Sequence, residues 1–485
     1  MDFKTLFGLT VIPAAALAGL IVACLGRWIR DVFFVLLVFT APMIEFLDIN
    51  YVSRDWYRGV ERGFEIAIAD ILALSLLGSS VLFPPKGRCR LYWPPALGIM
   101  LLYFLYACFN VAIAEPKLFA LFGLFRMFRG LILVLAVAFY LRSEREVRLL
   151  VLGVCMLVAF ECLLALKQRY LDGEHRVYGT LDESNSLSVL LCTTAPVLVA
   201  GLNARLPKLL RAFCALTLPL ACVGEVLTIS RAGVVIIGIV LLATALSTAT
   251  LRLTPRTIGV GLLVLLGATG ILAKSWKTLA SRYEESTLKQ EYENKKNLGR
   301  GYYIRVAVAI AGDRLFGVGL NNWSYWASNE YGPKLGFRFV PYWGTDQPPP
   351  DVLPPGSNVD MPQAAPAHSL GALTLGELGI PGILIFTVVW LRWFQMGTSF
   401  LRPRDPAPLR RVAVGIFFGI LGTFLQNLTE WAYWHIPIYY TFHILLGALM
   451  SLYYIKRTEE RAAVAATETR PEPAAFMPQP APGYS

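Results

Sequence analysis

ALGIMLLYFLYACFNVAIA, spanning Ala96–Ala114, carries no charge and is apolar nearly all round. A helix on a water-soluble core would alternate an apolar stripe with a polar face, whereas about 20 apolar residues in a row match the hydrocarbon thickness of a bilayer. The same signature returns at Phe7–Leu25 and Val412–Leu428, and 56% of the 485 residues are hydrophobic against 16% charged. These proportions predict an all-α polytopic membrane protein whose main solvent is lipid.

Thirteen candidate spans lie near 7–25, 32–48, 64–83, 95–114, 119–140, 147–166, 186–203, 208–229, 232–249, 257–273, 370–393, 411–429 and 435–455. Twelve is the alternative count, because 32–48 is short and ends in Glu45 and Asp48, and almost nothing joins 208–229 to 232–249. The expected organisation is a transmembrane region over 1–273, a large polar loop over 274–369, a second transmembrane region over 370–455 and a disordered cytoplasmic tail over 456–485. Phe7–Leu25 lacks a basic leading segment and a clear cleavage site, and is read as a retained span.

Short loops rich in Lys and Arg stay cytoplasmic. Arg142/Arg145/Arg148, Arg205/Lys208/Arg211 and Arg402/Arg404/Arg410/Arg411 fall on one side of a strict alternation, which puts 274–369 outside. Arg54, Arg58 and Arg62 run against that rule. The net charge of +11 is thus mostly topology, and no basic soluble surface suggests nucleic acid. The eight cysteines avoid the large loop and lack metal-ligand spacing, so they are read as packing residues.

Within the loop a helix is expected over about Arg300–Ala311, then a Gly317-Val318-Gly319 turn, a proline-rich spacer over 341–366, and His368 just before the next span. Arg231 stands between two apolar segments, after Thr228 and Ser230, residues suited to capping a helix whose N-terminus attracts anions. Arginine next to lipid needs a partner, and a guanidinium grips phosphate oxygens with two parallel hydrogen bonds. Arg300 and Arg305, five residues apart on one helix, diverge in direction, so at most one need face a site. The imidazole of His368 suits a base acting on a hydroxyl. Arg126, Arg129, Glu65, Asp70, Glu161, Glu225 and Glu377 fall inside predicted spans, with Glu430 at the outer end of another, and acids and arginines in lipid should pair. Ala273 stands where a phosphate loop needs glycine, and no Asp-x-Asp pair is present, so neither nucleotide-driven nor metal-bound sugar-nucleotide chemistry is indicated.

Four motifs occur in order: Arg176-Val177-Tyr178-Gly179-Thr180 through Asn185, Leu227 to Arg231, Arg300 with Tyr303, Ala307 and Phe316-Gly317-Val318-Gly319, and Ala367-His368-Ser369 with Gly376-Glu377-Leu378-Gly379. In this order, over about 118–430, the chain resembles the O-antigen ligase and polymerase superfamily. The resemblance implies a metal-independent, inverting glycosyltransferase of the bacterial inner membrane, needing no cofactor, with its site facing the periplasm. Its donor would be a glycan on undecaprenyl pyrophosphate, and its acceptor the lipid A core or another glycan. Carried over by position, Arg231 and Arg300 would hold the pyrophosphate and His368 would orient or deprotonate the acceptor hydroxyl. Arg305, Arg176, Asn185, Gly317, Gly319 and Glu377 are the implied substrate contacts. Arg314 replaces the family's usual proline, and Ser369 stands where asparagine is common. Polymerase and protein O-glycosylating activities share that donor and stay open. A flippase using Arg126, Arg129, Asp70 and Glu65 as a polar path is the reading from a different class.

Overall fold

The computed structural model describes residues 3–43, 48–84, 92–248, 292, 299–349, 362–401 and 407–468, and regular structure among them is nearly all helical. The first half contains α1 (Phe3–Leu25), α2 (Arg27–Thr40), α3 (Ile68–Leu82), α4 (Leu97–Ile113), α5 (Lys117–Tyr140) and α6 (Glu144–Tyr170). Then come α7 (Ser184–Asn203), α8 (Lys208–Thr228) and α9 (Arg231–Thr248). The polar loop supplies α10 (Arg300–Asp313), and the chain closes with α11 (Leu370–Thr398), α12 (Pro408–Asn427) and α13 (Ile436–Glu468).

Among the described residues eight helices are long and apolar enough to cross a membrane, with Thr10–Leu25, Ile68–Leu82 and Leu97–Ile113 as shorter apolar ones. This is the expected all-α membrane architecture. The paired segments about residue 230 are two separate helices, split where Ile229 takes a left-handed backbone (φ 55°). The expected span 257–273 lies outside the described residues.

The candidate span 32–48 is corrected. Helix α2 ends at Thr40 after 14 residues, roughly 21 Å at 1.5 Å per residue and short of the roughly 30 Å core. Instead, β1 (Asp48–Tyr51) and β2 (Phe64–Ala67) pair antiparallel, with Asn50 opposite Glu65. The described part of the expected tail, 456–468, continues α13. It is alanine-rich and carries the Lys456–Glu460 pair one turn apart (3.6 Å), both of which favour helix. The rest of the tail, and 350–361 of the spacer, lie outside the described residues.

Helix ends follow local chemistry. Ser143 precedes α6 in extended backbone, with Glu144 and Glu146 in the first turn and Lys167 and Arg169 in the last, each complementing the helix dipole. Helix α7 is the centre of the bundle and packs on α8, α9 and α12. Gly415, Gly419 and Gly422 let α12 approach the α7 backbone; a Cβ on Gly419 would sit 2.1 Å from the Thr193 carbonyl. That close approach brings the start of α7 beside the chain leaving α12. The starts of α7, α9 and α11 and the ends of α6, α8 and α12 share one end of the bundle. The basic turns 142–148 and 205–211 belong to the other.

The polar loop is fastened to a break in α11. Gly379 is left-handed (φ 67°) and Pro381 has no N–H, so the carbonyls of Gly376 and Glu377 lose their helical partners. The N–H groups of Val318 (3.0 Å) and Gly319 (2.9 Å) donate to them, and Ile380 N–H donates to the Leu315 carbonyl (3.0 Å). Asn110 of α4 joins the same knot, donating to the Phe316 carbonyl (2.8 Å) and accepting from Leu320 N–H (2.8 Å).

Candidate active site

Glu430, just beyond α12, gathers the groups that the sequence left scattered. One carboxylate oxygen accepts from Arg300 (3.1 Å) and Asn185 (3.2 Å), and the other faces Nδ1 of His368 at 3.1 Å. Arg300 also donates through Nε to the Thr429 carbonyl (3.1 Å). Asn185 in turn accepts from Arg176 (3.0 Å), whose Nε donates to the Thr228 carbonyl (3.1 Å). Glu430 is buried, while His368 and Arg300 keep part of their side chains accessible. A carboxylate with two or more charge-assisted donors is held firmly in place.

Each member is positioned by its own element. The segment carrying Arg176 is clamped by α6: Gln168 accepts from Tyr178 N–H (3.1 Å) and Gly179 N–H (2.9 Å), and Glu161 accepts from Thr180 N–H (2.9 Å) and hydroxyl (2.6 Å). Arg231 opens α9, three residues past the carbonyl that Arg176 holds. Ser230 caps that helix, accepting from Gly233 N–H (3.3 Å). Ser369 caps α11 by accepting from Ala372 N–H (3.4 Å), a job that asparagine performs equally well, and so fixes the chain directly after His368. The Tyr303 ring lies 5.5 Å from the imidazole of His368. Burial and the neighbouring Glu430 push the Tyr303 phenol up to about 12, so it stays neutral at physiological pH.

Other predicted residues sit elsewhere. Arg305 is five residues from Arg300 and therefore turned about 140° around α10; it makes no hydrogen bond to the Glu430 cluster among the described contacts. Gly317, Gly319 and Glu377, implied substrate contacts, each meet other parts of the protein. The two glycines dock on the α11 break, and the buried Glu377 side chain accepts from Trp323 N–H (3.4 Å). Arg314, at the family's proline position, stacks on Trp326 at 3.9 Å.

The intramembrane arginines are paired with acids, as expected, whereas Glu161, Glu225 and Glu377 meet hydroxyl or backbone N–H donors instead. Arg126 bonds Glu61 (2.8 Å), and Arg129 holds Asp70 (2.9 Å) and approaches Glu65 (3.6 Å). Glu225 accepts from Ser188 (2.6 Å). Among the described residues no group of three or more His, Cys, Asp or Glu is arranged to hold a metal.

Beside His368 opens a cleft of about 450 Å³ whose far wall is the segment joining β1 to β2. Arg58 and Arg62, the arginines that break the charge rule, line it. The segment is pinned on the polar loop by Glu61 N–H to Asn321 (2.9 Å), Asn321 back to the Glu61 carbonyl (2.9 Å) and Ser324 to the Arg58 carbonyl (2.9 Å).

Residues 216–387 match the family model described as O-antigen ligase. Over these residues the chain is similar to the O-antigen ligase family. The match supports the expected resemblance to the O-antigen ligase and polymerase superfamily, and with it a ligase- or polymerase-like glycosyltransferase role. No curated protein matches the chain. The matched segment includes Arg231, Arg300 and His368 but ends before Glu430, the residue that joins Arg300 to His368. Sequence reading placed Glu430 at the outer end of a span without a role; an acid closing an apolar helix was the available signal.

Proposed function

We propose that the protein transfers a glycan from undecaprenyl pyrophosphate to an acceptor hydroxyl at the periplasmic face of the bacterial inner membrane, in the manner of an O-antigen ligase acting on the lipid A core. The observation that carries this reading is the Glu430 bridge, which sets an imidazole and a guanidinium on the two oxygens of one carboxylate. In this arrangement Nδ1–H of His368 donates a hydrogen bond to Glu430, which leaves Nε2 unprotonated as the base. Arg300, with Arg231 at the start of α9 and Arg176 beside it, supplies the positive charge for the pyrophosphate. The acceptor oxygen attacks the anomeric carbon, its proton passes to His368, and the carbon–oxygen bond to phosphate breaks. Undecaprenyl pyrophosphate leaves with that electron pair, and a single displacement of this kind inverts the anomeric centre. The transfer calls on neither a metal nor a cofactor.

A polymerase or a protein O-glycosylating enzyme would use the same donor and the same bridge. The flippase reading is disfavoured because Arg126, Arg129, Asp70 and Glu65, its proposed path, are tied to one another or to Glu61. Purified protein given a lipid-linked oligosaccharide and lipid A core should release undecaprenyl pyrophosphate and form a new glycosidic bond, and Arg231→Ala should abolish both. Movement of unaltered donor across the bilayer, or wild-type turnover by Arg231→Ala, would refute the assignment.

A further inference from the structure

His368 stands at a seam between two differently charged surfaces. On its Glu430 side are Arg176 and Arg300. On the other side its ring forms part of the wall of the 450 Å³ cleft, where five carboxylates face two arginines, Arg58 and Arg62. Two of the five, Glu61 and Glu65, are drawn back onto Arg126 and Arg129. Asp55, Asp182 and Glu183 are exposed to the cleft itself. With Glu61 and Glu65 offset by those arginines, the exposed lining carries three carboxylates against two arginines, a formal charge of −1. Trp431, directly after Glu430 in the chain, adds a half-buried aromatic face to the same wall.

We infer that this cleft receives the acceptor and that it is built for an uncharged saccharide end, presenting hydroxyls to carboxylates and one sugar face to Trp431, while turning away a phosphorylated end. The inference rests on the transferase reading above and adds the acceptor's chemical class. A pyrophosphate belongs on the arginine side of His368; an anion on the cleft side would meet a surface of its own sign. Carboxylates and aromatic faces are the complement of a neutral polyhydroxylated group, and the volume falls within the range of small-molecule sites. The acceptor hydroxyl thereby approaches His368 from the side away from Glu430.

The test uses the full-length protein in lipid nanodiscs with one lipid-linked oligosaccharide donor. Core lipid A and the donor's own glycan, freed by mild acid, are each offered with an uncharged terminal sugar and with a phosphate monoester on that sugar, and products are weighed by mass spectrometry. The uncharged form of whichever acceptor is used should react at least about tenfold faster than its phosphorylated partner. Asp182→Asn combined with Glu183→Gln should shrink that preference to about threefold or less; Glu183→Gln alone should shrink it in part and serves if the double variant does not fold. Equal or faster use of the phosphorylated form overturns the inference, as does an unchanged preference in the variants. Donor cleavage without product from any acceptor overturns it too. No donor cleavage in any arm refutes the transferase reading, and the inference falls with it.

Discussion

Replacing Glu430 by glutamine keeps the shape of the side chain and removes one acceptor oxygen and the charge. Three groups converge on that carboxylate: Arg300 at 3.1 Å, Asn185 at 3.2 Å and His368 at 3.1 Å. An amide can satisfy one side only. If its oxygen stays with Arg300 and Asn185, which keeps the charge-assisted bond of about 1.5–3 kcal/mol, its NH2 faces Nδ1 of His368. That nitrogen must then accept, the ring proton moves to Nε2, and the base is lost. General-base catalysis contributes about 10²–10⁴-fold, and an imidazole locked in the wrong tautomer forfeits nearly all of it. Glu430→Gln should therefore lower kcat about 10³-fold, or roughly 4 kcal/mol at the barrier, with KM for the donor little changed because ground-state contacts survive. Single-turnover release of undecaprenyl pyrophosphate from a defined donor measures this, with an unaltered gel-filtration profile as the check on folding. Turnover within about threefold of wild type would show that Glu430 does not set the tautomer, and the proposed chemistry would fail.

Three further outcomes are expected. Arg300→Lys loses the two-point grip on Thr429 and Glu430 and should slow transfer about 10–100-fold, whereas Arg305→Ala should cost at least about tenfold less than Arg300→Ala in the same assay. Arg126 and Glu61 are both buried, so Arg126→Met or Glu61→Ala alone leaves a lone charge and should destabilise the fold by about 3–5 kcal/mol; the double variant should recover part of that in thermal unfolding. Ser369→Ala removes the α11 cap and should cost about 0.5–2 kcal/mol of stability, while Ser369→Asn should hold near the wild-type melting point.

The sequence shows the fold class because lipid demands runs such as Ala96–Ala114, and apolar length is written locally. It shows α10 and the Ser230 cap for the same reason: both depend on neighbours three or four residues away. The second span misleads because an apolar run tells nothing of where its helix stops, and α2 stops at Thr40 so that the chain can turn into the β1–β2 hairpin. The Glu430 cluster is the opposite case. Its partners lie 62, 130 and 245 residues away, and only the close packing of α7 on α12 brings Asn185 to Glu430. The Gly317-Val318-Gly319 turn is legible in sequence, yet its docking is not: the N–H groups of Val318 and Gly319 go to carbonyls freed by Gly379 and Pro381, which no local pattern announces.

Glu430 and Trp431 are consecutive residues, one holding the imidazole and the other papering the cleft. A loop of this kind cannot lengthen, shorten or shift to suit a new acceptor without dragging the base out of line. Room for change lies across the cleft in the β1–β2 segment, whose exposed Asp55, Arg58 and Arg62 can be exchanged while the buried Glu61–Arg126 pair keeps the strap in place. Related chains with different acceptors are thus expected to diverge most over 52–63 and least over 428–436.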